Sequence, residues 1–334
     1  MKKIIAIILS LVMILSLTAC GSSAPAETQA PEAAGAATEL KVAIIQQLDH
    51  SSLDEIREAI KAQLNALAEP TNYTITIEEY NGQNDTSMLT QIATQVVSDD
   101  VDMIIPIATL AAQYAVLAAE GTDIPIVYAA ISDPESAGLT GLANVTGVSD
   151  ALNTPFILDM MLAAQPDVQT VGLLYSTSEI NSEAPIAEAK AYLDEKGIAY
   201  IEKTGTTSPE IDEAAASLVG RVEAVFTPTD NVVMAAEVSV AEKFNANGIA
   251  HYTGADSFVQ SGAFTTCGVN YTELGTKSAD MAFDILMGGE IGEFVVMDGG
   301  IITVNTDAAA SCGIDYSVFN TMANTVNAVT TIVD

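Results

Sequence analysis

Cations are scarce in this chain. Against 44 Asp and Glu stand only 11 Lys and Arg, a formal net charge of −33 over 334 residues. A surface of that sign repels phosphate backbones and excludes nucleic acid as a partner. It also disfavours anionic lipid as a direct partner, and its ordinary effect is solubility. Histidine is nearly missing too: His50 and His251 are the only two. They form no His-Glu-x-x-His pair, which excludes that zinc-hydrolase motif, and no Gly-x-Ser-x-Gly nucleophile elbow occurs. Gly275-Thr276-Lys277-Ser278 lacks the Gly–Lys adjacency and upstream glycine of a phosphate loop. Gly138, Gly141 and Gly147 make no dinucleotide fingerprint, and Asp298-Gly299-Gly300 reads as a turn, not a calcium loop. No catalytic constellation, metal or cofactor is therefore expected. A long apolar run is absent as well, since Ile4–Leu17 falls short of the ~20 residues that a bilayer span needs.

That short run is informative in another way. Lys2 and Lys3 precede it, and Leu17-Thr18-Ala19-Cys20-Gly21 follows. A cationic start, a short apolar middle and small residues at the end make a secretory signal segment over 1–20. The terminal pattern resembles a lipobox, in which Cys20 is diacylated and the chain is cut before it. Two acyl chains, at about 0.8 kcal/mol per buried methylene, hold a soluble domain on a membrane without spanning it. Residues 21–38 are small and polar, which makes a flexible tether. Cys267 and Cys312 remain, either as a disulfide in an oxidising compartment or as two buried small apolar residues.

From Leu40 onward short apolar runs alternate with amphipathic stretches. Leu40–Ile45 reads as a strand. Leu53, Ile56, Ile60, Leu64 and Leu67, three or four apart, predict a helix. Thr86–Val97 is the next helix, with Asp85 as N-cap. Met103–Ile107 and residues 125–128 read as buried strands. The rhythm repeats after residue 150, with strands at 170–175, 198–202, 223–226, 249–252 and 263–267. Helices are expected over 156–164, 184–195, 211–218 and 232–245. A long helix over 272–287 and short strands at 294–297 and 301–304 close the chain. Such alternation predicts parallel sheets covered by helices on both faces. Two similar blocks predict two doubly wound α/β lobes with a hinge and a cleft. The N-terminal lobe is expected to span 39–149 plus 269–298, and the C-terminal lobe 150–268 plus 299–334.

Polar clusters stand where strands should end. In open parallel sheets, ligands bind beyond the carboxyl ends of the strands, and helix N-termini there offer unpaired N–H groups. The clusters are Gln46–His50, Ala108-Thr109, Ala130–Pro134, Ser176–Ser182, Thr227–Asn231 and Gly254-Ala255-Asp256. Each could be ordinary capping; together, on one side of two lobes, they predict a polar cleft.

The motif order is similar to that of a known family: a lipobox, a tether, Ile-Val-Tyr-Ala-Ala-Ile-Ser-Asp-Pro at 126–134, Asn-Val-Thr-Gly-Val-Ser at 144–149, Ser-Glu-Ile-Asn-Ser at 178–182, Pro-Thr-Asp-Asn at 228–231 and Gly-Ala-Asp at 254–256. The chain resembles the substrate-binding lipoproteins of bacterial ABC importers, in the subgroup with tryptophan- and tyrosine-binding members. The resemblance implies a type I periplasmic-binding-protein fold whose two lobes are joined by a three-crossing hinge. It also implies a monomer on the extracytoplasmic face of the membrane, held through Cys20, that closes on a small solute and delivers it to a permease. The family's His-Pro-Ala-Leu-Asp loop stands here as His50-Ser51-Ser52-Leu53-Asp54, and its Thr-Pro-Ala as Thr109-Leu110-Ala111.

An amino-acid solute needs donors for its carboxylate and acceptors for its ammonium. Arg57, inside an amphipathic helix, and Arg221, before a strand, are poorly placed for a clamp. Ser178, Asn181, Ser182 and Thr109 are the candidate carboxylate partners. Asp230 and Asp256 are the candidate ammonium partners. Gln46 and Ser132 are expected to line the other lobe, and Glu179, in the same junction as Ser178, is a further candidate ligand-binding residue. Tyr128, Tyr175 or Tyr271 offers a ring for stacking. An aromatic amino acid is the first expectation, ahead of a branched-chain amino acid, a purine-like compound or a small peptide. A sensor module for a signalling partner shares the expected fold, and a secreted hydrolase is the enzyme alternative.

Overall fold

A computed structural model describes residues 37–332. The signal segment, Cys20 and most of the tether lie outside the described residues. Among the described residues, no helix is long and apolar enough to cross a membrane.

Apolar runs form strands and amphipathic runs form helices, in alternation. The first part comprises β1 (Thr38–Gln46), α1 (Ser51–Ala68), β2 (Tyr73–Asn81), α2 (Thr86–Ser98), β3 (Met103–Ile107), α3 (Thr109–Ala118), β4 (Ile126–Ala129) and β5 (Val145–Ser149). Then come α4 (Thr154–Ala164), β6 (Thr170–Ser176), α5 (Glu183–Lys196), β7 (Ala199–Gly205), α6 (Ser208–Ala216), β8 (Ala224–Thr227), α7 (Asn231–Met234), α8 (Glu237–Ala246), β9 (Ala250–Thr253), α9 (Asp256–Gln260) and β10 (Thr265–Gly268). The last part holds α10 (Tyr271–Leu286), β11 (Val295–Val296), β12 (Ile301–Asn305), α11 (Thr306–Cys312) and β13 (Thr325–Val329).

The strands make two sheets, of order β11-β5-β4-β3-β1-β2 and β13-β12-β10-β9-β8-β6-β7. Pairing is parallel throughout, as in β1 beside β2 from Thr38↔Tyr73 to Gln46↔Asn81, except that β12 runs antiparallel to β10. Each sheet with the helices packed on it makes a lobe. The chain passes between the sheets after β5, after β10 and between β11 and β12. The helix α10 packs on α1 of the first lobe, where Gly275 lets the two backbones approach: a Cβ there would meet the Ile56 carbonyl oxygen at 2.6 Å.

The apolar periodicity of α1 is realised as burial. Leu53, Ile56, Ile60 and Leu64 face the core, as do all five residues of β3. Asp85 caps α2, accepting a hydrogen bond from the Met88 N–H. Three expectations need correction. The segment 232–245 is two helices, not one, because the chain breaks at Ala235–Ala236 between α7 and α8. Residues 145–149 form a strand that periodicity alone did not call for; Gly147 sits there because a Cβ would lie 2.2 Å from the Tyr128 carbonyl oxygen. The short elements α9, α11 and β13 were not expected either. Cys267 and Cys312 are both free thiols, and burial pushes each up to about 11.

Candidate functional site

The carboxyl ends of strands from both sheets converge on one narrow cavity of about 30 Å³. From the first lobe come His50 and Leu53 at the start of α1, Ala108 and Thr109 after β3, and Ala130 and Ser132 after β4. From the second come Asn181 after β6, Thr229, Asp230 and Asn231 after β8, and Ser257 and Phe258 in α9. Asp150 and Tyr271, at two of the crossings, complete the wall. The location is the one that parallel sheets reserve for ligands.

The backbone is strained where it meets the cavity. Ala108 has φ 73° and Ala130 φ 57°, both in the left-handed region that favours glycine. Such residues cost on the order of 1–3 kcal/mol and persist where surrounding structure enforces them, often at functional sites. The polar atoms are also incompletely matched. His50 Nδ1, Asn181 Oδ1 and Ser257 Oγ are buried without a hydrogen-bond partner among the described residues. Buried polar atoms are rarely left so unless water or a ligand completes them.

Hydrogen bonds fix what each orphan can do. Asn181 Nδ2 donates to the Thr229 carbonyl at 2.7 Å, so its Oδ1 is the atom presented to the cavity. Asn231 Nδ2 donates to Glu179 at 2.7 Å, which turns its Oδ1 toward His50 Nε2 at 3.1 Å. His50 then donates from Nε2. Burial holds its imidazole below its ordinary range, so the ring is neutral and Nδ1 is an acceptor. Asp150 Oδ1 accepts from Ser132 Oγ at 3.0 Å, whereas Oδ2 has only a long 3.4 Å contact from Tyr271. Burial raises the Asp150 carboxyl, partly opposed by the hydrogen bonds from Ser132, from its own backbone N–H and from Tyr271. The cavity thus presents His50 Nδ1, Asn181 Oδ1 and Asp150 as acceptors. Ser257 Oγ is a donor, and α1 begins without a side-chain cap. Leu53, Met234, Phe258 and Tyr271 supply apolar surface. Among the described residues, neither Arg nor Lys lines it.

Beside the cavity the lobes meet through side chains. Gln47 Nε2 donates to Glu179 at 2.7 Å, Ser132 and Thr229 hydroxyls lie 2.8 Å apart, and Ser52 Oγ donates to Asp256 at 3.4 Å. Burial first, then the nearby Asp230 carboxylate, pushes Glu179 up to about 7. Burial and the Glu55 charge raise Asp256 to about 6.

A family model described as ABC transporter substrate binding protein matches residues 41–323. The chain belongs to this family. It is 32% identical over 318 residues to the tyrosine-binding protein of Clostridioides difficile (strain R20291), covering 92% of this chain and 91% of that one. A Streptococcus pneumonia ABC domain in complex with L-Trp superposes with a TM-score of 0.80 at 28% identity, covering 86% of this chain and all (100%) of the other. The ligand-free, open structure of a Clostridium difficile substrate-binding protein with adhesive properties gives 0.66 at 31% identity, covering 88% of this chain and 100% of that one. Sugar-binding proteins of 14–16% identity, at TM-scores of 0.57 to 0.59, show the type I periplasmic-binding-protein fold alone. This ABC substrate-binding protein is accordingly a binding protein and not an enzyme.

Of the residues that the sequence of this substrate-binding protein singled out, Thr109, Ser132, Asn181 and Asp230 reach the cavity. Gln46 does not: it donates to Leu48, Asp49 and Asp54 and accepts from Arg57, within its own lobe. Its neighbour Gln47 faces the seam, because successive residues of a strand point to opposite sides. Ser178 bonds Ser176, and Ser182 donates to Asp230 at 2.6 Å, so neither is presented to a solute. Glu179 and Asp256 lie in the seam and not on the cavity wall. Asp230 reaches the wall, but its carboxylate is filled by Ser176 N–H, Ser182 Oγ and the Val232 and Val233 N–H groups. It is a helix cap, as its place before α7 demands. Asp150 and Ser257 stand outside every polar cluster named from the sequence, whereas His50, Thr229 and Asn231 stand within such clusters without having been singled out. Asp150 directly follows β5, the strand that periodicity overlooked, and with that strand recognised its place at a sheet end could have been read.

Proposed function

We propose that this protein captures an aromatic amino acid, tyrosine or tryptophan, in the cavity between its lobes and closes around it. Held outside the cytoplasm by lipid on Cys20, it delivers the solute to the permease of an ABC importer. The observation that carries the reading is the polarity of the wall. Three acceptors, His50 Nδ1, Asn181 Oδ1 and Asp150, match the three N–H bonds of an ammonium group. Ser257 Oγ and the uncapped start of α1 offer hydrogen bonds to a carboxylate without a cationic clamp. Leu53, Met234, Phe258 and Tyr271 suit a ring. The relatives support the same class, one being named for tyrosine and another holding L-Trp. The better match to the L-Trp complex than to the open relative fits lobes drawn together, so a ring enters only when they part.

Calorimetry with L-tyrosine and L-tryptophan tests the assignment. Asp150→Asn should weaken binding by at least tenfold, as a hydrogen bond to a charged group is worth about 1.5–3 kcal/mol. No heat with either amino acid at millimolar concentration would end it.

A further inference from the structure

We infer that Glu179 is the latch of closure and that solute capture takes up a proton there. The inference rests on the closing motion proposed above. Glu179 is 1% exposed, in the loop after β6. Gln47 Nε2 reaches it across the seam at 2.7 Å, and Asn231 Nδ2 reaches its other oxygen at 2.7 Å. Asn231 in turn meets His50 of the first lobe. The chain Gln47–Glu179–Asn231–His50 therefore crosses the seam twice with Glu179 at its centre. Gln47 is held for the task, because its Oε1 accepts the Leu110 N–H at 3.0 Å and its Nε2 also donates to Asn84.

No cation offsets this buried carboxylate among the described residues, and the salt bridges all lie elsewhere. The buried carboxylate of Asp230 repels it. Two like charges out of water favour the neutral form of one. The amides of Asn231, Gln47 and Asn181 donate to Glu179 and offset part of the resulting rise.

When the lobes part, Glu179 loses Gln47 and gains water, and its carboxyl returns toward its ordinary 4.5 from about 7. The shut form then binds the proton more tightly, so closure strengthens as pH falls through neutrality and the gain saturates below the open-form value. Between pH 8 and pH 6 the contribution of Glu179 alone is about tenfold in affinity. Other groups at the seam and cavity titrate too. Asp256, Asp150 and Asp230 are raised by burial and act in the same sense. His50, lowered by burial, acts in the opposite sense. A variant that leaves these in place isolates Glu179.

Calorimetry with L-tyrosine on the parent and Glu179→Gln, each at pH 6 and pH 8, reads the latch. The ratio of affinities at pH 6 to pH 8 should be about tenfold larger in the parent, and the variant should bind more tightly than the parent at pH 8. Equal ratios in the two proteins would overturn the latch. If neither L-tyrosine nor L-tryptophan binds either protein, the solute assignment falls separately. Small-angle scattering of the solute-free proteins at pH 8 then decides: a more compact variant upholds the latch, and equal radii overturn it.

Discussion

Asp230→Ala is the substitution on which capping and solute binding part company most clearly. An ammonium partner could be removed with little effect on the empty protein. The geometry demands otherwise, because the carboxylate accepts four hydrogen bonds in a fully buried site: Ser176 N–H at 2.7 Å, Ser182 Oγ at 2.6 Å, Val232 N–H at 3.1 Å and Val233 N–H at 2.9 Å. Alanine leaves those donors without a partner, at about 1–3 kcal/mol for each that water cannot reach. The gain from no longer burying a charge, visible in the raised Asp230 carboxyl, offsets part of this. A net loss of about 3–5 kcal/mol follows, which at roughly 2 °C per kcal/mol lowers the melting temperature by about 6–10 °C. Asp230→Asn keeps one acceptor oxygen and should lose about half as much. Thermal unfolding of the solute-free protein, followed by circular dichroism, is the assay. A fall of less than about 2 °C for Asp230→Ala would refute the capping role and restore Asp230 as a free ligand group.

Two further substitutions test the backbone. Ala108→Gly removes the strain of φ 73° and should stabilise the solute-free protein by about 1 kcal/mol once the added chain entropy of glycine is counted. An unchanged or lower denaturant midpoint would count against strain at the cavity. Gly275→Ala places a Cβ 2.6 Å from the Ile56 carbonyl and 2.7 Å from the Ala59 Cβ. It should cost about 1–3 kcal/mol, whereas Gly292→Ala, with nothing within 4 Å, should cost almost nothing; equal midpoints for the two would contradict the close packing of α1 on α10.

The fold was legible because its signals are local and redundant. Five apolar residues spaced three or four apart in α1, and wholly apolar β3, leave little choice of element. What escaped was set by distant contacts. The strand β5 contains Gly147, a weak strand former, whose reason lies in the Tyr128 backbone some twenty residues earlier. The break between α7 and α8 leaves no mark in an unbroken apolar pattern. At the site the residue types were readable and their directions were not. Gln46 and Gln47 are chemically identical, and only strand register sends one to its own lobe and the other across the seam. Asp230 carried both a capping and a binding reading, and the choice needed the positions of Ser176 and Ser182. Glu179 stands in the loop after β6 and Asp256 opens α9, yet both meet the opposite lobe instead of the cavity.

The threefold passage of the chain between the sheets has an evolutionary corollary. Residues 271–296, which complete the first sheet and cover α1, are encoded between the fifth and sixth of the seven strands of the second. Neither half of the molecule is a contiguous stretch of gene, so a single recombination event cannot exchange one half for another without leaving Ile56 and Ile60 uncovered. The two walls of the cavity are inherited together, and new solute preferences must arise by point changes on both.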